Sequence, residues 1–348
     1  VAATEFGTND AQTVKLWSTK TAYEAIGQTW MRKLMGTSED SILYMARDLE
    51  KHAGDTIRYD LLRLMTGAGV DGDTRLKGFE EALVYEQDTI SINQKRQAHL
   101  FKGMSQQRTV HDLRQDGKRN LAKWYAEKYD KYMLAYLCGT AGDAPGNVSL
   151  ELPFAGNAIV APDAAHEHVT GATFELDDID ILVEIAQMAT PRIQPAMVDG
   201  QPKYVLIIHP FTATEMRTAT GADNWREITA LARERSASNP LYTGALGEYA
   251  GVIIHVSEYI PRQISSPLTY NIFLGAQAGC IAFGNAWKRR QRGLGKGSYF
   301  SWHEDVDDYG NEEGIGVASI FGIKKTVYNS VDYATIRYVT TDDSHALP

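Results

Sequence analysis

Residues 51–100, KHAGDTIRYDLLRLMTGAGVDGDTRLKGFEEALVYEQDTISINQKRQAHL, constrain the fold more than any other part of the chain. A short alternating run, 56–61, leads into a turn-rich tip carrying Gly67, Gly69, Gly72 and Gly78; a second β-like run, 83–92, returns. Glycine supplies positive-φ positions and aspartate closes turns through its own side chain. At this density, between two strand-like arms, they predict a long two-stranded excursion. Two strands alone are marginally stable in water. Such a hairpin is expected to bury little against its own domain, and its destination is another copy of the same chain. Assembly is therefore the first functional expectation, ahead of catalysis.

The 348 residues suffice for one large domain or two modest ones. No apolar run reaches the roughly 18 residues of a membrane span, so no membrane partner is expected. The opening VAATEFGTNDAQTVKLW lacks the basic and then apolar order of a secretory signal. The two cysteines, Cys138 and Cys280, then read as reduced, buried small hydrophobes. A net charge of −9 opposes a dedicated nucleic-acid binder. It suits a surface that lies near DNA without adhering, because adhesion to phosphate needs Lys or Arg.

Residues 1–50 mix polar turns with short amphipathic pieces at 22–34 and 42–49, the pattern of an arm draped over something else. The clearest helix signal spans 109–137, where Leu121, Trp124, Tyr125, Tyr129, Tyr132, Met133, Tyr136 and Leu137 recur at three- and four-residue spacing. Core packing is the commoner meaning of such an aromatic stripe than a cofactor box. Lys118, Arg119, Lys123, Glu127, Lys128 and Lys131 fall largely on the other side, and Gly139 gives the stop. From 139 to 171 the chain is rich in Ala, Gly, Pro and Asn, with a β-like piece at 157–160. An α+β unit is expected over 174–285: a helix capped by Asp177 or Asp178 with Ile181, Leu182, Ile185 and Met188 inward, and a buried strand at 203–208. A short helix capped by Thr212 follows, then strands at 249–256 and 270–274. The tail, with β-like runs at 316–321, 323–327 and 335–339, reads as an antiparallel layer on the long helix.

A search for chemistry returns little. No Gly-x-Ser-x-Gly elbow is present. Residues 292–298, RGLGKGS, fail the phosphate-loop test, since the required glycine and hydroxyl positions hold Arg290 and Gly297. They also miss the dinucleotide fingerprint, with the third glycine one residue early. His166-Glu167-His168 offers metal-ligand chemistry, but such a pair is more often an exposed loop or edge strand. The acidic stretch 303–312 lacks the glycine and glutamate placement of a calcium loop and reads as a solvated turn between strands. Catalytic, cofactor and metal residues are accordingly expected to be absent. Lys288, Arg289, Arg290, Arg292 and Lys296 form the strong basic run, read as an inter-subunit partner for acidic surface in preference to a phosphate contact.

Gly54-Asp55-Thr56-Ile57, Gly67-Ala68-Gly69-Val70, Gly72-Asp73, Gly78 and Glu80-Glu81-Ala82-Leu83 closely resemble major capsid proteins of tailed bacteriophages. The nearest resemblance is to the N-four-type podovirus branch. It extends over most of the chain, including the glycine-rich turn and strand at 244–254. It implies the α+β Hong Kong 97 fold: N-terminal arm 1–50, extended loop 51–105, spine helix and first peripheral part 106–173, axial domain 174–285, and second peripheral part 286–348. It further implies a non-enzymatic shell subunit forming hexamers and pentamers around double-stranded DNA, without sequence-specific binding. The resemblance also implies assembly in the bacterial host cytoplasm, with scaffolding, portal and decoration proteins as partners. Residue 1 already opens the presumed arm, so the scaffold is expected to be separate, or a leader removed. The expected interface residues are Gly54, Asp55, Gly67, Gly69, Gly72, Asp73, Gly78, Glu80 and Glu81. The competing readings are the shell of a cellular nanocompartment and, more remotely, a hydrolase using His303 with Asp305 or Asp307.

Overall fold

The computed structural model describes residues 30–38, 40–46, 54–62, 67, 69–83, 85–140, 157–190, 192–198, 200–218, 247–263, 268–284, 300–328 and 330–341. The basic run 288–296, residues 1–29 and the glycine-rich turn at 244–246 lie outside them.

The helix predicted from the aromatic stripe is Leu113–Cys138, 26 residues and about 39 Å long at 1.5 Å per residue. It starts later than the stripe suggests because Asp112 caps it, its carboxylate accepting from the Arg114 and Gln115 N–H groups. Gly139 ends it at φ 67°, where an added Cβ would lie 2.5 Å from the Val160 carbonyl. Tyr125, Tyr129, Tyr132 and Tyr136 are all buried, and the hydroxyls of Tyr125, Tyr129 and Tyr136 bond the surrounding backbone and side chains. Tyr125 Oη lies 2.9 Å from the carbonyls of both Lys95 and Val317; Tyr129 Oη is 2.8 Å from Ser319 Oγ; Tyr136 donates to the Asn157 carbonyl. The rings carry the burial and the hydroxyls avoid an unpaired-polar cost.

These tyrosines pack on a six-stranded sheet built around the long strand Glu312–Lys325. Asn93–Lys102 pairs with one edge of that strand; Phe300–Asp307 and then Gly279–Phe283 share the other edge. Leu43–Ala46 adds in parallel to Gly279–Phe283. Part of the presumed arm is therefore a strand of the subunit's own sheet, held also by Met31, whose N–H donates to the buried Asp130. Gly322 does not split the long strand in two as the sequence suggests. Of the acidic stretch 303–312, expected as a turn, residues 303–307 belong to the strand Phe300–Asp307 and only 308–311 turn the chain into Glu312–Lys325.

A second, eight-stranded sheet is centred on Gln201–Ile208, Val252–Val256 and Leu268–Leu274. Its run 249–256 is two strands, since Ala250 and Gly251, at φ 49° and 76°, turn the chain between Gly247–Tyr249 and Val252–Val256. Helix Pro210–Thr218 begins two residues before the expected Thr212 cap, with proline at its first position where the missing N–H costs nothing. In helix Asp177–Met188 the inward residues are Ile179, Leu182 and Ala186, while Ile181 and Met188 are exposed. Asp178 reaches back to the Glu175 N–H instead of capping from outside.

The tail departs most from its predicted place. Thr335–Thr341 pairs with Leu268–Leu274 in the eight-stranded sheet and does not extend the layer on the long helix. The chain crosses between sheets through the ribbon Val327–Tyr328 and Val331–Asp332. A buried ion pair sits at this crossing: Lys325 Nζ is 2.7 Å from Asp332, and both side chains are 2% exposed. Burial pushes the Lys325 amine down and the Asp332 carboxyl up, each opposed by its partner's charge. The Asp332 N–H donates to Asp163, which also bonds the ring of His166. Arg337 donates to the Cys138 carbonyl at the end of the long helix and pairs with Glu167.

Candidate assembly surface

The predicted hairpin is present, as Thr56–Leu62 paired antiparallel with Tyr85–Ser91. Its base is not idle, contrary to the expectation that it buries little. Ile57 and Ile90 are 5% and 0% exposed and pack with Ala46, Cys280 and Ala282. Side chains alternate across a sheet. Cys280 and Ala282 share rows with Lys324 and Gly322, whereas Phe283 and Phe321 meet Tyr129 on the other face. The hairpin base thus covers the face of the six-stranded sheet opposite the long helix.

Three devices fix the base there. Asn157, 2% exposed, accepts from the Ser91 N–H and donates to the carbonyls of Ser91 and Ile323. The stretch 157–160, expected to be β-like, is irregular backbone whose asparagine joins hairpin and sheet. Gly322 lets the hairpin approach, since a Cβ would sit 2.1 Å from the Ser91 carbonyl oxygen. Lys324 pairs with Asp88 and donates to the Thr89 carbonyl, while the Tyr59 hydroxyl donates to Asp88 at 2.6 Å. Burial and the Asp88 charge push the Tyr59 phenol up, so it stays a donor. Gly54 is exposed beside Asp55, whose carbonyl accepts from the Ile92 N–H.

Beyond the arms, none of the described tip residues is buried. Gly69, Gly72 and Gly78 hold φ of 73°, 59° and 104° with nothing within 4 Å of an added Cβ, so conformation alone selects glycine there. Glu81 accepts from the Gly67 N–H at 2.7 Å and Glu80 from the Gly78 N–H at 2.6 Å. Its own N–H and that of Gly78 hold the Glu80 carboxyl below its ordinary range. These acids therefore shape the turn. Asp73 is exposed among them. Leu76, Phe79 and Leu83 are 59%, 70% and 62% exposed. The tip is a pre-shaped apolar surface at the end of an anchored stalk.

The remaining sequence candidates scatter. His303 and Asp305 face solvent from one edge strand, opposite Gly316 and Gly314, which bring no side-chain chemistry. Of the expected exposed loop or edge strand, the edge strand is what is found: Glu167–Val169 carries His168, which stacks on Tyr338, while His166 just before it is buried. Among the described residues no His, Cys, Asp and Glu cluster could hold a metal. Cys138 and Cys280 are buried, and burial pushes the Cys280 thiol up to about 12. Sequence reading missed Asn157, Gly322 and the strand Asn93–Lys102. Its polar composition hides the strand, and only the alternation of His99 and Phe101 hints at a face.

The phage capsid protein family matches residues 5–345. The chain belongs to that family. This capsid protein is 25% identical over 363 residues to the major capsid protein of Pseudomonas phage KPP25, covering 93% of the chain and 91% of the relative. Among solved structures, the capsid of Ralstonia phage GP4 matches with a TM-score of 0.79 at 27% identity over 100% of both chains. The capsid asymmetric unit of cyanophage Pam1 matches with a TM-score of 0.70 at 19% identity, over 98% of this chain and 94% of that one, which speaks for the fold. The capsid protein thus has the mixed helix-and-sheet Hong Kong 97 fold of tailed-phage heads, and its place is the virion shell.

Proposed function

We propose that this chain is the major shell subunit of a tailed phage, closing into an icosahedral head of hexamers and pentamers around double-stranded DNA. The observation that carries this reading is the full-length likeness to a solved phage capsid at 27% identity. Its role is mechanical, with no catalytic step and no cofactor. The division proposed is an arm over 1–50, an extended loop over 51–105, a spine helix and peripheral layer over 106–173 and 286–348, and an axial domain over 174–285. In this scheme the tip from Gly67 to Gly78, with Glu80 and Glu81 shaping it, lies over a neighbouring copy. Leu76, Phe79 and Leu83 then gain the burial they lack in the isolated chain, at about 25 cal/mol per Å² of apolar surface. Gly54 and Asp55 hold the start of the stalk, and the run Lys288, Arg289, Arg290, Arg292 and Lys296 meets acidic surface on another copy. The glycine–acid pattern of 54–83 supports the narrower N-four-type podovirus branch. Scaffolding, portal and decoration proteins complete the head in the host cytoplasm, and the DNA is held without sequence-specific contacts.

Electron microscopy of the purified protein, with nucleic-acid analysis of the particles, tests this reading. Closed icosahedral shells are expected, filled with DNA when isolated from virions. Shells that enclose protein cargo and never a genome would instead identify a cellular nanocompartment.

A further inference from the structure

Strand Asn93–Lys102 is unusual for its length. It is 10 residues long, has no buried residue, and among the described residues pairs on one side only, with Glu312–Phe321. At about 3.3 Å per residue this leaves roughly 33 Å of strand edge without a ladder. Natural sheets rarely leave such an edge unmanaged, because its N–H and C=O groups template pairing with another chain. Its charges are of one sign: Lys95, Arg96 and Lys102, with no Asp or Glu between 93 and 102. Across the long strand, the opposite edge among the described residues is Phe300–Asp307. That edge has the reverse composition: Glu304, Asp305 and Asp307, with no Lys or Arg between 300 and 307.

We propose that the basic edge Asn93–Lys102 of one copy pairs with the acidic edge Phe300–Asp307 of the next, carrying a continuous sheet from subunit to subunit. The inference rests on the reading that copies of this chain assemble. Because the two edges differ, the contact is heterologous, so repetition makes a ring where the rotation closes and an open filament where it does not, instead of stopping at a dimer. Pairing like edges would set cations against cations or carboxylates against carboxylates, which excludes the two-fold alternative. Part of the charge is already engaged within the subunit, Lys102 with Glu312 and Glu304 with Arg114. Lys95 and Arg96 on one side, and Asp305 and Asp307 on the other, therefore carry most of the selection. Backbone hydrogen bonds supply the rest, as in other strand additions.

Charge exchange in the full-length chain tests the proposal. Lys95→Glu with Arg96→Glu makes both edges acidic; Asp305→Lys with Asp307→Lys makes both basic. Each double variant should keep the wild-type circular dichroism and melting profile while shell yield falls at least about tenfold, since like charges juxtaposed cost several kcal/mol. The chain with all four substitutions restores opposite edges and should recover shells. Either double variant assembling like the wild type, or a folded four-substitution chain that does not recover, overturns the proposal. A second readout is independent of shell closure. Zero-length carbodiimide coupling of mixed light and heavy isotope-labelled protein should join Lys95 to Glu304, which shares its sheet face, or Lys102 to Asp305 or Asp307, between copies. If the unmodified chain forms no shells, the capsid reading fails on its own. Coupling at high protein concentration still decides the edge contact, and inter-copy links that avoid these residues count against it.

Discussion

Asn157→Ala isolates the joint between hairpin and sheet. The asparagine side chain accepts from the Ser91 N–H at 2.8 Å and donates to the carbonyls of Ser91 and Ile323 at 2.8 and 3.1 Å. Alanine removes all of these and supplies no replacement. At a net worth of about 1 kcal/mol per bond, the expected loss is roughly 3 kcal/mol. The entropy of unfolding is about 2.1 cal/mol/K per residue, or roughly 0.7 kcal/mol/K for 348 residues, so Tm should fall by about 4 °C. The loss is local in origin, because Ser91 ends the returning arm and Ile323 lies in the sheet it crosses. Amide hydrogen exchange should therefore accelerate in Thr56–Leu62 and Tyr85–Ser91 while the long helix keeps its protection. Scanning calorimetry and exchange mass spectrometry on the unassembled protein measure both. A Tm within a degree of wild type, with unchanged exchange in the two arms, would refute the idea that Asn157 holds the hairpin. A uniform loss of protection would instead make it a residue of the global core.

Other expectations follow from the same physics. At the sheet crossing, Asp332→Ala should cost about 3–5 kcal/mol in denaturant unfolding by stranding buried Lys325, whereas Lys325→Met with Asp332→Leu should be near neutral. Burial acts to raise the Asp163 carboxyl, but its bonds with His166 and the Asp332 N–H outweigh this and hold it below its ordinary 3.8. A depressed folded value stabilises fully above the unfolded pKa and is lost as pH falls through the folded one. Asp163→Asn should therefore be less stable at neutral pH and lose less stability as pH falls below the ordinary carboxylate value of 3.8, as acid titrations of both proteins would show. Cys138 and Cys280 should resist alkylation in the native protein at pH 8, as burial raises both thiols, and both should react on unfolding; rapid native labelling in a mass-spectrometric assay would contradict their burial. Deleting residues 67–78 should leave a soluble, folded subunit that forms no closed shells, and normal heads in electron micrographs would remove the tip from assembly.

The sequence by itself determined the elements whose signals are local. Gly69, Gly72 and Gly78 specify a turn by backbone conformation alone, and that turn stands between the paired arms. The aromatic stripe marks a buried helix face, because three- and four-residue spacing places those rings on one side whatever they meet. The same glycine–acid pattern carried the family resemblance. Tertiary structure decided everything that depends on which distant segments meet. Gly322 reads as a break between strands until the Ser91 carbonyl is seen lying 2.1 Å from where its Cβ would be. Asn157 reads as the start of a β-like piece until it bonds Ser91 and Ile323, residues 66 and 166 positions away. Thr335–Thr341 alternates like any half-buried strand, and alternation does not say which of two sheets it joins. The opposed charges of 93–102 and 300–307 are plain in the sequence, yet they acquire meaning only when the long strand between them makes them the two edges of one sheet. Local periodicity fixes how a segment folds and which side it buries; the choice of partner is fixed only by the packing of all segments together.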